Sequence, residues 1–346
     1  MSIPSHPAKW WHSLGDGMIR CDLCPRHCHI QNEHFGYCRV RFAKNGSLFT
    51  IVYGDCSGFA LDPIEKKPLF HFLPGSNTFS FGTASCNMGC VFCQNWRITK
   101  ESCEEVLVSE ATPEAIAEAA KENNCASVSF TYNEPTISLE YLLDTAHNCH
   151  QLGIRTVAVT NGYISKEARH DCYSAVDAAN IDLKGFSEKF YQNYCKASLK
   201  PVLETLDYVA NQTQTWLEVT TLLIPGANDS NSEIEAMTKW LVGNLGPHVP
   251  LHFSAFHPAY ELSGIQSTPA ATLLRARDIA KKNGIHHVYT GNILESKTQA
   301  TYCSECKKIV IERDGFRTQS VFLTDGKCHH CQAPLAGIFM RQKKPS

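Results

Sequence analysis

The cysteine pattern constrains this chain most: of seventeen cysteines in 346 residues, eleven fall into three tight groups. Cys21, Cys24, Cys28 and Cys38 form the first, Cys86, Cys90 and Cys93 the second, and Cys303, Cys306, Cys328 and Cys331 the third. The opening segment Met1–Trp11 lacks the apolar stretch of a signal peptide, so the expected compartment is the cytoplasm. Thiols stay reduced there, which makes metal binding, not a disulfide framework, the leading use of so many cysteines. The scattered Cys56, Cys103, Cys125, Cys149, Cys172 and Cys195 have no ligand-like neighbours and read as small buried or inert thiols.

Three thiolates are the telling number. Structural zinc takes four protein ligands, whereas a [4Fe–4S] cluster held by three thiolates keeps one iron open for a substrate or cofactor. Cys86, Cys90 and Cys93, spaced C-x3-C-x2-C, directly follow an apolar run at Thr78–Thr83, and a loop after a strand's C-terminal end is where α/β folds place their chemistry. Three buried thiols, or three zinc ligands completed by a distant histidine, are the rival readings.

Short apolar runs rich in β-formers alternate with helical patterns between about residues 79 and 291, the signature of a parallel α/β sheet. Strands are predicted at Thr78–Thr83, Ser127–Tyr132, Thr156–Thr160, Ala179–Leu183, Leu217–Ile224 and Leu251–Phe256, with a further candidate at His287–Thr290. Helices are predicted at Ala115–Lys121, Ile137–Gln151, Ser165–Ser174, Ser187–Tyr194, Pro201–Asn211, Asn231–Leu245 and Pro269–Asn283, joined to the strands by right-handed crossovers. Residues 1–77 form an N-terminal cysteine-rich segment with a hairpin around Asn45 and Gly46 and a loop at Leu61–Lys67. Residues 78–299 form the core, and residues 300–346 a small C-terminal unit with a basic tail, Arg341–Lys344, that reads as solvated.

Hydrophobic residues at 43% and charged ones at 19% describe a chain that folds around a sizeable core. With 32 Lys and Arg against 34 Asp and Glu, the net charge of −2 gives no global field to gather nucleic acid or an anionic membrane, and neither partner is expected. No window approaches 18 unbroken apolar residues, so no membrane span is expected.

The segment Cys86–Trp96, with Phe92 before the last cysteine, resembles the C-x3-C-x-aromatic-C motif of radical S-adenosylmethionine (SAM) enzymes. The resemblance implies an α/β fold with a partial (β/α)6 barrel. It implies a [4Fe–4S] cluster on Cys86, Cys90 and Cys93, its open iron chelated by SAM, and release of a 5′-deoxyadenosyl radical that abstracts hydrogen from a substrate. Glu134, in Thr131–Pro135, sits where the family carries a turn holding the methionyl amine. Thr160, Asp182 and Lys184 resemble residues that pyruvate formate-lyase activating enzymes place near the SAM carboxylate and ribose, but the acidic residue preceding that Thr is Val159 here. Ile224–Asp229 would lie along the adenine, and His257 would approach the ribose.

Cys303-x2-Cys306 and Cys328-x2-Cys331 flank the β-like runs Ile309–Glu312 and Ser320–Leu323, a zinc-ribbon pattern in which four thiolates close a tetrahedral structural site. Rubredoxin-like iron fits the same sulfurs. The N-terminal group, spaced C-x2-C-x3-C-x9-C, suits an auxiliary iron–sulfur cluster or a structural zinc equally. The chain as a whole is similar to the radical SAM member of the AmmeMemoRadiSam system, with Cys21–Arg41, Asp62–Pro68, Leu73–Ser76 and the terminal ribbon included. That resemblance implies Memo-like and AMME-type partners and an electron donor such as a ferredoxin or flavodoxin. A protein substrate losing a backbone glycine hydrogen, radical attack on a small metabolite or partner side chain, and a non-enzymatic cysteine-rich interaction module are the three functional expectations.

Overall fold

The computed structural model describes residues 6–100, 106–293 and 296–340; Cys103 and the tail Arg341–Lys344 lie outside them. Eight strands build the main sheet: β1 (Asp55–Pro63), β2 (Asn77–Gly82), β3 (Ser127–Phe130), β4 (Arg155–Thr160), β5 (Ala178–Asp182), β6 (Trp216–Leu223), β7 (Leu251–Ala255) and β8 (Val288–Gly291). From β2 to β8 they pair in parallel and in chain order, while β1 runs antiparallel to β2 and carries the two-residue strand Ser109–Glu110 on its outer edge. Sequential order with crossovers of one hand puts the helices on one face, unlike a doubly wound sheet.

Helices α1 (Pro113–Glu122), α2 (Leu139–Gln151), α3 (Lys166–Ala175), α4 (Lys200–Gln212), α5 (Asn231–Leu245) and α6 (Ala270–Lys282) make those crossovers. The caps explain two of the starts. Thr112 Oγ1 accepts the Ala115 N–H at 3.2 Å with Pro113 at the first helical position, and Ser230 Oγ accepts the Glu233 N–H at 3.3 Å. The helix expected at Ser187–Tyr194 is instead a short α turn, Glu188–Phe190, running into a π turn, Tyr191–Cys195. The expected loop at Leu61–Lys67 is the end of β1 and a 3-10 turn, Ile64–Lys66, pinned by Asp62, which accepts from Lys66 (2.9 Å), Lys67 (2.6 Å) and Tyr132 (2.8 Å). No helix among the described residues is long and apolar enough to cross a membrane.

The segment Pro68–Leu73 lies across the N-terminal ends of the parallel strands. Glu218 on β6, fully buried, accepts the N–H groups of Phe70 (3.0 Å) and His71 (2.7 Å), and Asn180 on β5 donates to the Pro68 carbonyl. The C-terminal unit closes over this segment: Leu73 N–H donates to Ile338 O, Ile338 N–H to His71 O, and Arg313 to Phe70 O at 2.6 Å. Buried Arg313 and the half-buried Thr318 also meet the buried Glu65 carboxylate.

Two histidines in this floor are held neutral. Burial, then the neighbouring His287, pushes His71 well below its usual pKa, and burial, then His286, holds His287 down to about 3. A depressed histidine stabilises the fold fully above pH ~6.5 and loses that contribution as pH falls, because the unfolded chain takes up a proton the native one refuses. Between pH 6.5 and 5 this is worth roughly 2 kcal/mol for His287. Comparing urea midpoints at pH 7 and 5 for the native chain and His287→Gln should show the variant with the smaller acid loss; equal losses would contradict the assignment.

Candidate functional site

The central cysteines lie on the loop leaving β2, and residues of the next strand ends hold that loop. Asn133, just beyond β3, accepts the Thr83 N–H at 3.0 Å and donates to the Thr83 hydroxyl (2.9 Å) and the Ser85 carbonyl (3.0 Å). Asn161, beyond β4, donates to Asn87 Oδ1 at 2.9 Å and lies 3.7 Å from the Cys86 sulfur. Ser85 and Tyr132 sit at φ of 77° and 70°, left-handed backbone that ordinary residues adopt only where their surroundings enforce it. A side chain at Gly89 would meet Tyr37 Oη at 2.5 Å and Lys196 Cβ at 2.9 Å, so the loop needs glycine to pack here.

The π turn meets the loop from the other side: Gly89 N–H donates to Cys195 O and Val91 N–H to Tyr194 O, each at 2.9 Å. This docking sets the Cys195 thiol beside Cys90. The neighbouring Cys195 thiol, followed by the Lys184 and Lys100 ammonium groups, outweighs burial and lowers the Cys90 pKa, the pair sharing its titration with Cys195 raised. The shift favours the thiolate of Cys90, the form that binds metal. Burial instead pushes Cys86 up to about 12, so metal binding there releases a proton. The Cys93 sulfur lies 3.2 Å from Thr99 Oγ1. This donor set, three thiols of one loop with a lysine alongside, fits a cluster held by three cysteines.

Asp182 and Lys184, at the end of β5, form an ion pair at 2.9 Å, and Lys184 lies against Cys90, Cys195 and the Phe92 ring. Glu134 lies in the turn beyond β3. It is buried, and its carboxylate accepts the Thr160 hydroxyl (2.7 Å) and the N–H groups of Thr136 (2.9 Å) and Asn161 (2.7 Å). Burial raises its pKa against these donors. Glu134 thus fixes the β4 end, and Thr160 is occupied in the same network. Glu134→Gln would turn an amide N–H toward a backbone donor, a loss of about 1–3 kcal/mol in a buried site. Chemical denaturation should register it; an unchanged midpoint would argue that these bonds carry no weight.

His257, beyond β7, is exposed and paired with Ser267, while its carbonyl accepts from Gln94 at 2.8 Å, beside the cysteine loop. Asn228 ties the β6 end to Lys184 by donating to its carbonyl at 2.7 Å. A cleft of about 490 Å³ opens beside the loop, lined by Ser57, Gln94, Trp96, Arg97 and Tyr132.

The outer groups differ in spacing. In the C-terminal unit the sulfurs stand 3.6 Å (Cys303 to Cys331) and 3.8 Å (Cys306 to Cys328) apart, and all four lie within 4.8 Å of one another. A tetrahedron with Zn–S bonds of about 2.3 Å requires ~3.8 Å edges. Cys21, Cys24, Cys28 and Cys38 instead line one small cavity together with Ile30 and Ile137. Cys195, Asn133 and Asn161 were not singled out by the sequence as site residues; each lies far along the chain from the motif it serves.

Residues 81–241 match the radical SAM superfamily. An uncharacterized protein of Methanocaldococcus jannaschii is 41% identical over 316 residues, covering 91% of this chain and 94% of its own length. The 4-hydroxyphenylacetate decarboxylase activating enzyme of Clostridioides difficile is 22% identical over 259 residues, covering 70% of this chain and 78% of that enzyme. A crystal structure of a domain of pyruvate-formate lyase-activating enzyme from Bacteroides vulgatus aligns with a TM-score of 0.43 and 22% identity, covering 48% of this chain and 99% of that domain.

Proposed function

Because the chain belongs to the radical SAM superfamily and is an enzyme, we propose that it delivers a radical to a protein substrate, removing a hydrogen atom from a backbone glycine. Bound SAM and a [4Fe–4S] cluster on Cys86, Cys90 and Cys93 supply the superfamily's chemistry, reductive SAM cleavage and a carbon-centred radical. The observation that carries the reading is the single loop with three cysteines, Cys86, Cys90 and Cys93, with Lys184 alongside.

The chain's residues divide the work by position. Lys184 offsets negative charge gathered at the cysteines, and Asp182, one-third exposed, faces the open end where a ribose hydroxyl or amine can reach it. Glu134 holds Thr160 and Asn161 beneath, and His257 flanks the same end. Cys303, Cys306, Cys328 and Cys331 take structural zinc. We read the seven parallel strands as a partial (β/α)6-type barrel extended by β8, with residues 1–77 and 300–346 as flanking units. A low-potential ferredoxin or flavodoxin supplies the electron in the cytoplasm, and Memo-like and AMME-type proteins are the candidate partners.

The test is anaerobic reconstitution with iron and sulfide, then SAM and dithionite with each candidate partner. The expected result is 5′-deoxyadenosine together with a glycyl radical signal on the partner. 5′-Deoxyadenosine with a modified small molecule instead would move the substrate to a metabolite, and none under any condition would sink the enzyme reading of this site.

A further inference from the structure

We propose that Cys21, Cys24, Cys28 and Cys38 hold a second [4Fe–4S] cluster, which passes single electrons to the central site through Cys38 and Ser85; the second half rests on the function proposed above. The first half rests on spacing. A single zinc ion pulls four sulfurs into contact, as in the C-terminal unit. Among the described residues, the C-terminal cysteines are the one group of three or more such ligands whose ligand atoms all lie within 4.8 Å of one another. The N-terminal four converge without touching and surround a recess with room for roughly one water. Each sulfur is then too far from the centre for a ~2.3 Å bond to one ion. Cys86, Cys90 and Cys93 share this open spacing, as ligands of separate irons must. Leu23, Ile30 and Ile137 line the recess together with Arg26 and Arg41, whose positive charge suits a cluster of thiolates.

The second half rests on connection. The Cys38 carbonyl accepts the Ser85 hydroxyl at 2.6 Å, and Ser85 is bonded to Cys86, so one short hydrogen bond joins a ligand of one group to the neighbour of a ligand of the other. The surrounding segments are locked together. Arg26 donates to Asn87 O at 2.6 Å, Arg39 to Lys100 O at 3.0 Å and Thr99 O at 3.2 Å, and Lys100 to Met88 O at 2.8 Å. On the outer side Cys28 is partly exposed, with exposed Phe35 and Tyr37 nearby, so a donor can approach. In the step proposed, a low-potential flavin or iron–sulfur donor loses one electron, the N-terminal cluster passes from the 2+ to the 1+ state, and it returns to 2+ as the central cluster is reduced; no bond is made or broken.

The full chain carrying Cys86→Ala, Cys90→Ala and Cys93→Ala, reconstituted anaerobically, should retain about 4 irons against about 8 for the native chain, with an iron–sulfur signal in electron paramagnetic resonance after reduction. Zinc in place of iron there, or loss of all iron, overturns the proposal whatever SAM does. Native chain with both clusters but no 5′-deoxyadenosine would instead refute the radical reading and leave the N-terminal cluster standing. For the relay, Ser85→Gly removes the hydroxyl while suiting the φ of 77°. Freeze-quenched spectra with reduced flavodoxin should show the central cluster reduced severalfold more slowly than in the native chain; an unchanged rate overturns the path.

Discussion

The Cys90→Ala protein is expected to make no detectable 5′-deoxyadenosine. Two thiolates cannot hold a cubane that keeps one iron for SAM, so the loss is of the site itself and not of a rate factor. Cys90 is also the ligand whose surroundings most favour the thiolate: the neighbouring Cys195 thiol and the Lys184 and Lys100 ammonium groups lower its pKa against burial. Removing it leaves the Lys184 ammonium with Asp182 as its remaining close counter-charge. Cys195→Ala keeps all three ligands and should keep iron, which separates a ligand from its neighbour. Turnover in Cys90→Ala, measured after anaerobic reconstitution, would falsify the three-thiolate assignment.

Cys328→Ala should release the metal of the C-terminal unit and loosen the floor of the main sheet with it. That unit has a small core, Val310, Ile311, Leu323 and Leu335 with two of the cysteines, too little apolar area to hold its hairpins without metal. Once it opens, Glu65 loses Arg313 and Thr318, and the Phe70–Leu73 segment loses its hydrogen bonds to Arg313, Ala336 and Ile338, each worth about 1 kcal/mol. At a few degrees per kcal/mol the melting temperature should fall by on the order of 10 °C. Unchanged zinc content and melting in this variant would show that the four sulfurs are not a structural metal site.

Much of the fold was legible because the parallel strands are buried on both faces and so appear as unbroken β-rich runs; their observed limits differ from the expected ones by one or two residues. The α/β class and the three cysteine groups came from the same kind of local signal. Tertiary demands were not legible. The Ser187–Tyr194 helix gives way to a π turn whose Tyr194 and Cys195 carbonyls are taken by Gly89 and Val91, about a hundred residues earlier. Cys195 has no spacing signal for the same reason. The bonds Glu134 makes to Thr136, Thr160 and Asn161 tie the ends of two strands together and carry no local sequence signal.

The contact between Pro68–Leu73 and the C-terminal unit also sets a timetable for synthesis. His71 meets Ala336 across 265 residues, and Ile338 accepts the Leu73 N–H and donates to His71 O over a similar span. At ribosomal rates of about 5–20 residues per second, the early segment waits roughly 13–53 s for the residues that cover it. Through that interval Glu65 lacks its partners and Phe70 and Phe72 lack part of their cover, so the nascent chain depends on holding chaperones or slow release more than its finished core suggests. Ribosome-bound chains stalled before residue 300 should accordingly be cut readily near Phe70–Phe72, and chains stalled after the unit has emerged should resist.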